Sequence, residues 1–325
     1  MNILYSSDEN YAKISMISIA SLLESNKDAE TLTIYYIDSG LSEKSKIQLK
    51  ELVKKFNREI CFLPAGKIDV SFIAKTGYPI AGYYRLLISQ MINVEKILYL
   101  DCDTLILKSL QSLWDIDVSN KAVAGVRDTV QNFLATGVGM NNNSNYINAG
   151  VMLLNLEYWR KHDSEKSIRD FFDRYNGKVP HHDQGIVNGV FDGKIEIIDP
   201  KYNTMSQFFL FDSKQLKRIY KIKDFYSKDI LKKATDEPVI IHYLNKFYGR
   251  PWEVECIHPY TYKYDEISSK YNIVIEKRQS SLTSRIKIRK YLYKYAPFIL
   301  YLLYERVMDL RRERVFYTIY EKKEL

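Results

Sequence analysis

The residues in this chain best suited to chemistry are Asp101-Cys102-Asp103, which close an otherwise apolar run from Lys96 to Leu100. Side chains two positions apart on an extended strand point the same way. The spacing therefore predicts two carboxylates converging on one side, with Cys102 facing the opposite layer. Two like charges held that close require a counter-ion. A hard divalent cation bridging them to a diphosphate meets the need, because Mg²⁺ and Mn²⁺ favour oxygen ligands and keep positions open for substrate phosphates.

A metal-dependent phosphotransferase or phosphatase is the rival chemistry. Enzymes of the haloacid dehalogenase type also place Asp-x-Asp after an apolar strand and use the first Asp as nucleophile. They carry Thr or Val two places after the second Asp, where this chain has Leu105, and no Asp-Asp pair follows downstream.

Other short motifs accompany the acidic pair in a fixed order: Ser7-Asp8-Glu9-Asn10-Tyr11, Gly82-Tyr83-Tyr84-Arg85-Leu86, Asn148-Ala149-Gly150-Val151 and His182-Asp183-Gln184-Gly185. Ile241-His242-Tyr243 and Gly249-Arg250-Pro251-Trp252 complete the set. Over residues 1 to 255 the combination resembles glycosyltransferase family 8, the GT-A-fold retaining transferases that include bacterial lipooligosaccharide galactosyltransferases and glycogenin.

The resemblance implies a role for each matching position. Ser6, Asp8, Asn10 and Tyr11 correspond to the uracil and ribose pocket. Asp101, Asp103 and His242 correspond to manganese ligands that hold the diphosphate of a UDP-sugar. Arg85, Asp128, Asn148 and Asp183 correspond to groups that grip the donor sugar, and Gln184 to the residue beneath its anomeric carbon. Cys102, Ala149, Gly150 and Gly249 fall among the donor-binding positions, with Gln184, Asp183 and Asp128 as the catalytic set. The family's His-x-x-Gly-x-x-Lys-Pro-Trp run is two residues longer here, so the diphosphate-binding cation is Arg250, in register with Pro251-Trp252, or Lys246. Gly185 stands where many members have a second acid.

The implied roles have independent chemical reasons. A cation bonded to both phosphates stabilises charge that grows as the diphosphate leaves. An imidazole added to two carboxylates favours Mn²⁺, with Mg²⁺ as the alternative. Gln184 is a neutral amide and a poor nucleophile, so retention is expected through departure and attack on one face of the sugar. A non-catalytic nucleotide-sugar-binding protein is the third function class, disfavoured by the full set of Asp101, Asp103, Gln184 and His242.

The elements that must position these groups alternate. Apolar strands are expected at Asn2 to Tyr5, Thr31 to Asp38, Glu59 to Leu63, Lys96 to Ile106, Ala122 to Val126, Val151 to Leu154, Lys194 to Asp199 and Pro238 to Tyr243. Helices are expected at Tyr11 to Ser25, after a Ser42 cap with Ile47, Leu52, Val53 and Phe56 inward, at Ala81 to Ile92, Trp159 to Tyr175 and His181 to Phe191. Asp212 to Asp236 reads as a lysine-rich surface segment, and Val130 to Asn145 as a polar, glycine-bearing lid. This is an α/β pattern: a Rossmann-like, mixed but mainly parallel sheet flanked by helices, with ligands at the carboxyl ends of the strands. The expected organisation is a catalytic domain over 1–257, a connecting segment over 258–284 and a basic amphipathic helical tail over 285–325.

Composition sets the outer limits. With 46% hydrophobic and 27% charged residues among 325, the chain is an ordinary globular one, and wholesale disorder is excluded. Three cysteines without zinc-like spacing argue against a disulfide framework and for a reducing compartment. Residues 285–325 hold 11 Lys and Arg against 5 Asp and Glu, so most of the net +8 lies in the tail. The tail's basic residues interleave with Ile286, Ile288, Leu292, Tyr293, Phe298, Leu302 and Leu303, a pattern suited to an anionic membrane surface. No cleaved leader and no membrane-spanning run of ~20 apolar residues is expected, and no nucleic-acid-reading motif is present. The expected location is cytoplasmic, peripheral at the inner face of the plasma membrane, with a glycan acceptor on lipid or protein.

Overall fold

The structure, a computed structural model, describes residues 1–70, 80–244, 247–280 and 283–320. It begins with strands and helices in alternation: β1 (Asn2–Ser7), α1 (Ala12–Ser25), β2 (Thr33–Asp38), α2 (Glu43–Lys54) and β3 (Glu59–Pro64). These three strands pair in parallel, as expected for βαβ crossovers. Helix α1 is buried nearly all round. Its serines are accommodated because Ser15 and Ser21 donate to carbonyls at 2.7 Å and Ser18 meets Thr104 Oγ1 at 3.0 Å. Ser42 caps α2 by accepting from Ser45 N, as expected. Ile47, however, is 52% exposed. The inward stripe is Leu49, Leu52 and Val53, and Ile47 lies roughly 200° around the helix from Leu49.

The strand expected over 96–106 is two strands in two sheets, β4 (Lys96–Leu100) and β5 (Thr104–Ile106), parted by a turn at Asp101–Asp103. After α3 (Gln111–Trp114) come β6 (Val123–Arg127), α4 (Asn132–Thr136), β7 (Ile147–Asn155), α5 (Leu156–Lys161), α6 (Ser164–Arg174), α7 (His182–Val190) and β8 (Ile195–Ile197). Then follow β9 (Thr204–Met205), α8 (Ser213–Tyr220), α9 (Lys228–Asp236), β10 (Ile240–His242), α10 (Thr261–Lys270), α11 (Ser284–Tyr295) and α12 (Phe298–Tyr320). The main sheet runs β3-β2-β1-β4-β7-β6-β8, with β7 antiparallel to both neighbours, and a small sheet runs β5-β10-β9. Along β1, β4 and β7 successive residues enter opposite cores: Ile3, Leu98 and Leu153 on one face, Leu4, Ile97 and Leu154 on the other.

Three further expected segments differ. Residues 81–92 form short 3₁₀ turns, Ile80–Gly82 and Tyr84–Leu86, rather than a helix. The buried Arg85 guanidinium must reach acceptors at the strand ends, and that requirement outweighs the weak helix propensity of Gly82, Tyr83 and Tyr84. The single helix expected over 159–175 breaks at Asp163, which adopts φ +48° between α5 and α6. The segment 212–236 is not a featureless surface but α8 and α9, which bury Leu216, Ile219, Leu231 and Ala234.

The tail lies on the body. Helix α12 buries Tyr301, Leu302, Met308 and Phe316, together with the acids Glu305 and Asp309, which pair with Arg289 and Arg312. The Phe316 ring packs against Phe133 with centroids 5.1 Å apart and planes tilted by 54°, and Gln131 donates to Asp309 at 3.1 Å, so the segment expected as a lid is packed beneath α12. Val130, Ala135, Val138 and Met140 are buried there.

His258 stands just before α10 among the rings of Tyr243, Phe209 and Tyr248, with centroids 4.8–5.3 Å away, and its Nε2 has no hydrogen-bond partner. Burial pushes its imidazole down to about 4, so it is neutral in the folded protein. The unfolded chain takes up a proton below about 6.5. Stability is therefore unaffected above that pH and falls as pH drops towards about 4. Urea unfolding of a His258→Phe variant will lack this component, which amounts to ~2 kcal/mol between pH 7 and pH 5 in the parent protein.

Candidate active site

The acidic pair and His242 meet where the two sheets adjoin. Antiparallel pairing of β5 and β10 sets His242 opposite Thr104, and Tyr243 N donates to Asp103 O at 3.0 Å. The ligand atoms of Asp101, Asp103 and His242 all lie within 4.8 Å of one another. His242 Nε2 is 3.1 Å from Asp103 Oδ1 and 3.7 Å from Asp101 Oδ2. The two carboxylates thus converge through a turn and a strand pairing, not through the pleat of one continuous strand. Within the turn Thr104 Oγ1 donates to Asp101 O at 2.8 Å. Two oxygens and an imidazole nitrogen in this space form a donor set suited to Mn²⁺ or Mg²⁺.

Gly150 makes the convergence possible. Asp101 N donates to Gly150 O at 2.7 Å, and a Cβ on Gly150 would stand 2.1 Å from His242 Cε1 and 2.7 Å from Asp101 Oδ2. Cys102 is buried in the core on the α1 side, with its Sγ 3.5 Å from Ser6 O, and burial holds the thiol well above its usual range.

Arg85 crosses the site from below. Its Nη1 donates to Asp101 Oδ1 at 2.9 Å and to Ala149 O at 3.0 Å, its Nε donates to Asp183 Oδ2 at 3.0 Å, and its Nη2 also pairs with Asp183. Burial disfavours the guanidinium charge, but Asp183, Tyr99 and Asp101 more than offset this, so Arg85 is held firmly charged. Tyr99, which the sequence reading passed over, donates to Asp101 Oδ1 at 2.7 Å while its ring faces the guanidinium. Its place two residues before Asp101, near the end of β4, was the available signal.

The amides form a second layer. Gln184 Nε2 donates to Asp128 Oδ2 at 2.9 Å, and its Oε1 accepts from Ala149 N at 3.1 Å. Asn148 Nδ2 donates to the same Asp128 oxygen at 3.1 Å and to Gln184 Oε1 at 3.3 Å. Asn148 Oδ1 accepts from Gly150 N at 3.0 Å and from Asn203 Nδ2 at 2.9 Å, which commits the whole amide to protein partners. Asn203 is a further residue that the sequence reading did not single out.

At the other end, a cleft of about 210 Å³ is lined by Ser6, Tyr11, Gly82, Arg85, Tyr99 and Asp103, among others. Asp8 and Asn10 stand beyond it, bonded to each other, with Asn10 N donating to Asp8 Oδ1 at 3.0 Å and Asn10 Nδ2 to Asp8 Oδ2 at 3.2 Å. Arg250 Nη1 donates to the Tyr11 hydroxyl at 3.2 Å, and its Nη2 lies 3.5 Å from Asp103 Oδ2. Burial opposes ionisation of Asp103, yet His242 and Arg250 outweigh it and hold the carboxyl below its ordinary value. Gly249 adopts φ +76°, the turn that aims Arg250 inward. Lys246 lies outside the described residues.

Residues 2–256 match the Glycosyl transferase family 8 profile. The chain belongs to glycosyltransferase family 8. A Haemophilus influenzae relative is 31% identical over 268 residues, covering 79% of this chain and 74% of its own. The lipopolysaccharide 1,2-glucosyltransferase of Escherichia coli is 28% identical, covering 77% of this chain and 73% of its own. Among solved structures, galactosyltransferase LgtC in complex with donor and acceptor sugar analogs superposes with a TM-score of 0.66 at 22% identity, covering 88% of this chain and 99% of that one. The family 8 chain therefore has the GT-A fold, and it is a glycosyltransferase.

In this family 8 protein a Gly150→Ala substitution drives a methyl group into the His242 ring. If the Asp101, Asp103 and His242 set holds a divalent cation, binding of Mn²⁺ as the probe ion, read by electron paramagnetic resonance titration, will be weaker by about tenfold or more in this variant.

Proposed function

We propose that the protein transfers a hexose from a UDP-sugar to a hydroxyl of a glycan acceptor, with retention of anomeric configuration and with Mn²⁺ at Asp101, Asp103 and His242. The observation that carries this reading is the convergence of those three groups beside Arg250, at the mouth of a cleft that runs back to Ser6 and Tyr11. The likeness to the lipopolysaccharide 1,2-glucosyltransferase of Escherichia coli and the lipopolysaccharide 1,3-galactosyltransferase of Salmonella typhimurium supports a hexose donor and a glycan acceptor. Between the two hexoses of these relatives, our reading leans slightly to galactose as the donor sugar.

Bound there, Mn²⁺ would supply the charge that stabilises the departing diphosphate. Arg250 adds a second positive group on the nucleotide side, and Tyr11 and Ser6 shape the nucleoside end. The bond from the anomeric carbon to the phosphate oxygen breaks with its electron pair going to the diphosphate. The acceptor oxygen bonds to the same face of the carbon and passes its proton to that phosphate oxygen. Gln184 cannot serve as a strong nucleophile, and Asp183 is engaged by Arg85. Ala149 N and Asn148 Nδ2 both donate to the Gln184 carbonyl oxygen and so fix the amide; we assign that oxygen the stabilising of positive charge on the sugar.

UDP-hexoses tested without acceptor will undergo slow, Mn²⁺-dependent hydrolysis that EDTA abolishes, and Asp103→Asn will lower it about 10³-fold. Hydrolysis indifferent to chelation, or a glycosyl adduct on Gln184 or Asp183 in mass spectra, contradicts the reading.

The tail supports a peripheral site of action at an anionic membrane surface. Among the described residues no helix is long and apolar enough to cross a membrane. Helix α12 nevertheless exposes Leu300, Leu303, Val307 and Leu310 on one stripe, each at 49–63% exposure, near Arg311 and Arg314. Because α12 also packs on the body, surface substitutions test the idea better than deletion. Combined Leu303→Ser, Leu310→Ser, Arg311→Glu and Arg314→Glu substitutions will abolish flotation with vesicles containing phosphatidylglycerol while leaving UDP-hexose hydrolysis intact.

A further inference from the structure

We infer that Asn203 is a positioning residue that presents the free Nε2 lone pair of His242 to the cation, through a chain of amides anchored on Asp128. The inference rests on the metal reading above and adds to it the residue that orients its nitrogen ligand.

Asn203 is fully buried at the end of a 3₁₀ turn (Pro200–Asn203) that leads into β9, whose parallel pairing with β10 sets Met205 opposite His242. Its Oδ1 stands 2.9 Å from His242 Nδ1, and its Nδ2 stands 2.9 Å from Asn148 Oδ1.

Each orientation in the chain is forced by its neighbour. Gly150 N is a backbone donor, so the Asn148 atom facing it must be the carbonyl oxygen. The other end of that amide faces a carboxylate oxygen of Asp128, which can only accept while ionised, so it must be the NH₂ group. Asn148 Oδ1 then accepts a second bond, so the Asn203 atom facing it is Nδ2 and the atom facing His242 is Oδ1. A carbonyl oxygen only accepts, so His242 must carry a proton on Nδ1. With Nδ1 so committed, Nε2, hydrogen-bonded to Asp103 Oδ1 at 3.1 Å and 3.7 Å from Asp101 Oδ2, is the nitrogen whose lone pair a cation would take, the metal replacing the bond to Asp103.

The same Asp128 oxygen also accepts from Gln184 Nε2 at 2.9 Å. One carboxylate therefore fixes both the amide assigned to the sugar and, through two asparagines, the imidazole assigned to the cation.

The test uses the full chain with UDP present. In Mn²⁺ titrations followed by electron paramagnetic resonance, Asn203→Leu, which keeps the side-chain shape without the acceptor, will weaken Mn²⁺ binding by about 10–100-fold. Asn203→Asp, which still accepts from Nδ1 but gives up the bond to Asn148 Oδ1, will bind Mn²⁺ more tightly than the Leu variant. In ¹⁵N-histidine spectra of the unaltered protein with Mg²⁺ and UDP, the His242 proton will reside on Nδ1. Equal Mn²⁺ affinity in the parent protein and the Leu variant, or a proton on Nε2 in the loaded parent, overturns the role of Asn203 and leaves the metal site standing. Failure of the unaltered protein to bind Mn²⁺ overturns the metal reading and this inference together. Because the spectra need no variant, a Leu variant that does not fold leaves the inference open to refutation.

Discussion

Unlike charges must be brought into contact before the rest of this site can exist. Asp101 and Asp103 lie in the turn that follows the carboxyl end of β4, and Asp183 lies in the first turn of α7 beside them, a largely enclosed corner where isolated carboxylates would be costly. The chain answers from two sides. Arg85 spans Asp101 and Asp183 from beneath, and Arg250 and His242 flank Asp103 from above. Asp101 Oδ2, Asp103 and His242 Nε2 are thereby left facing one another, compact enough for one cation to join them. Such a corner is held together by its own ion pairs while keeping coordination open towards a substrate.

The fold serves this arrangement by bringing strand ends together rather than by lengthening any one strand. The main sheet ends β4 at Leu100, a turn carries the two acids across, and β5 continues in the small sheet beside β10. Gly150 at the start of β7 leaves room for the imidazole, and the close approach tolerates no side chain there. The buried amides of Asn148 and Asn203 and the half-buried amide of Gln184 form a continuous polar layer behind the ionic one, and networks of this kind are stable only when every member is satisfied.

Much of the fold could be read from period and capping. The β1–α1–β2–α2–β3 run follows its apolar pattern closely, and Ser42 caps α2 as its type and place suggest. Failures came where a long-range charge contact overrode local preference: the stretch around Arg85 gives up its helix to satisfy a buried guanidinium, and the strand through Asp101 breaks to serve two sheets. The convergence of Asp101, Asp103 and His242 was legible because acids in a fixed motif announce themselves and His242 follows in a recognisable order. Tyr99 and Asn203 were not, since a tyrosine in an apolar strand and an asparagine in a turn look ordinary until their partners, distant in sequence, are known. The packing of α12 over residues 131–137 was equally hidden, because the pattern of the tail shows that one face is apolar but not what it meets.

The most direct measurement is anomalous scattering at the manganese edge from crystals grown with UDP and Mn²⁺. The account predicts one strong peak bonded to Asp101, Asp103 and His242, with the diphosphate of UDP completing its coordination and Arg250 alongside. UDP bound in the cleft with no anomalous peak at those three residues, or a peak coordinated elsewhere, would contradict it.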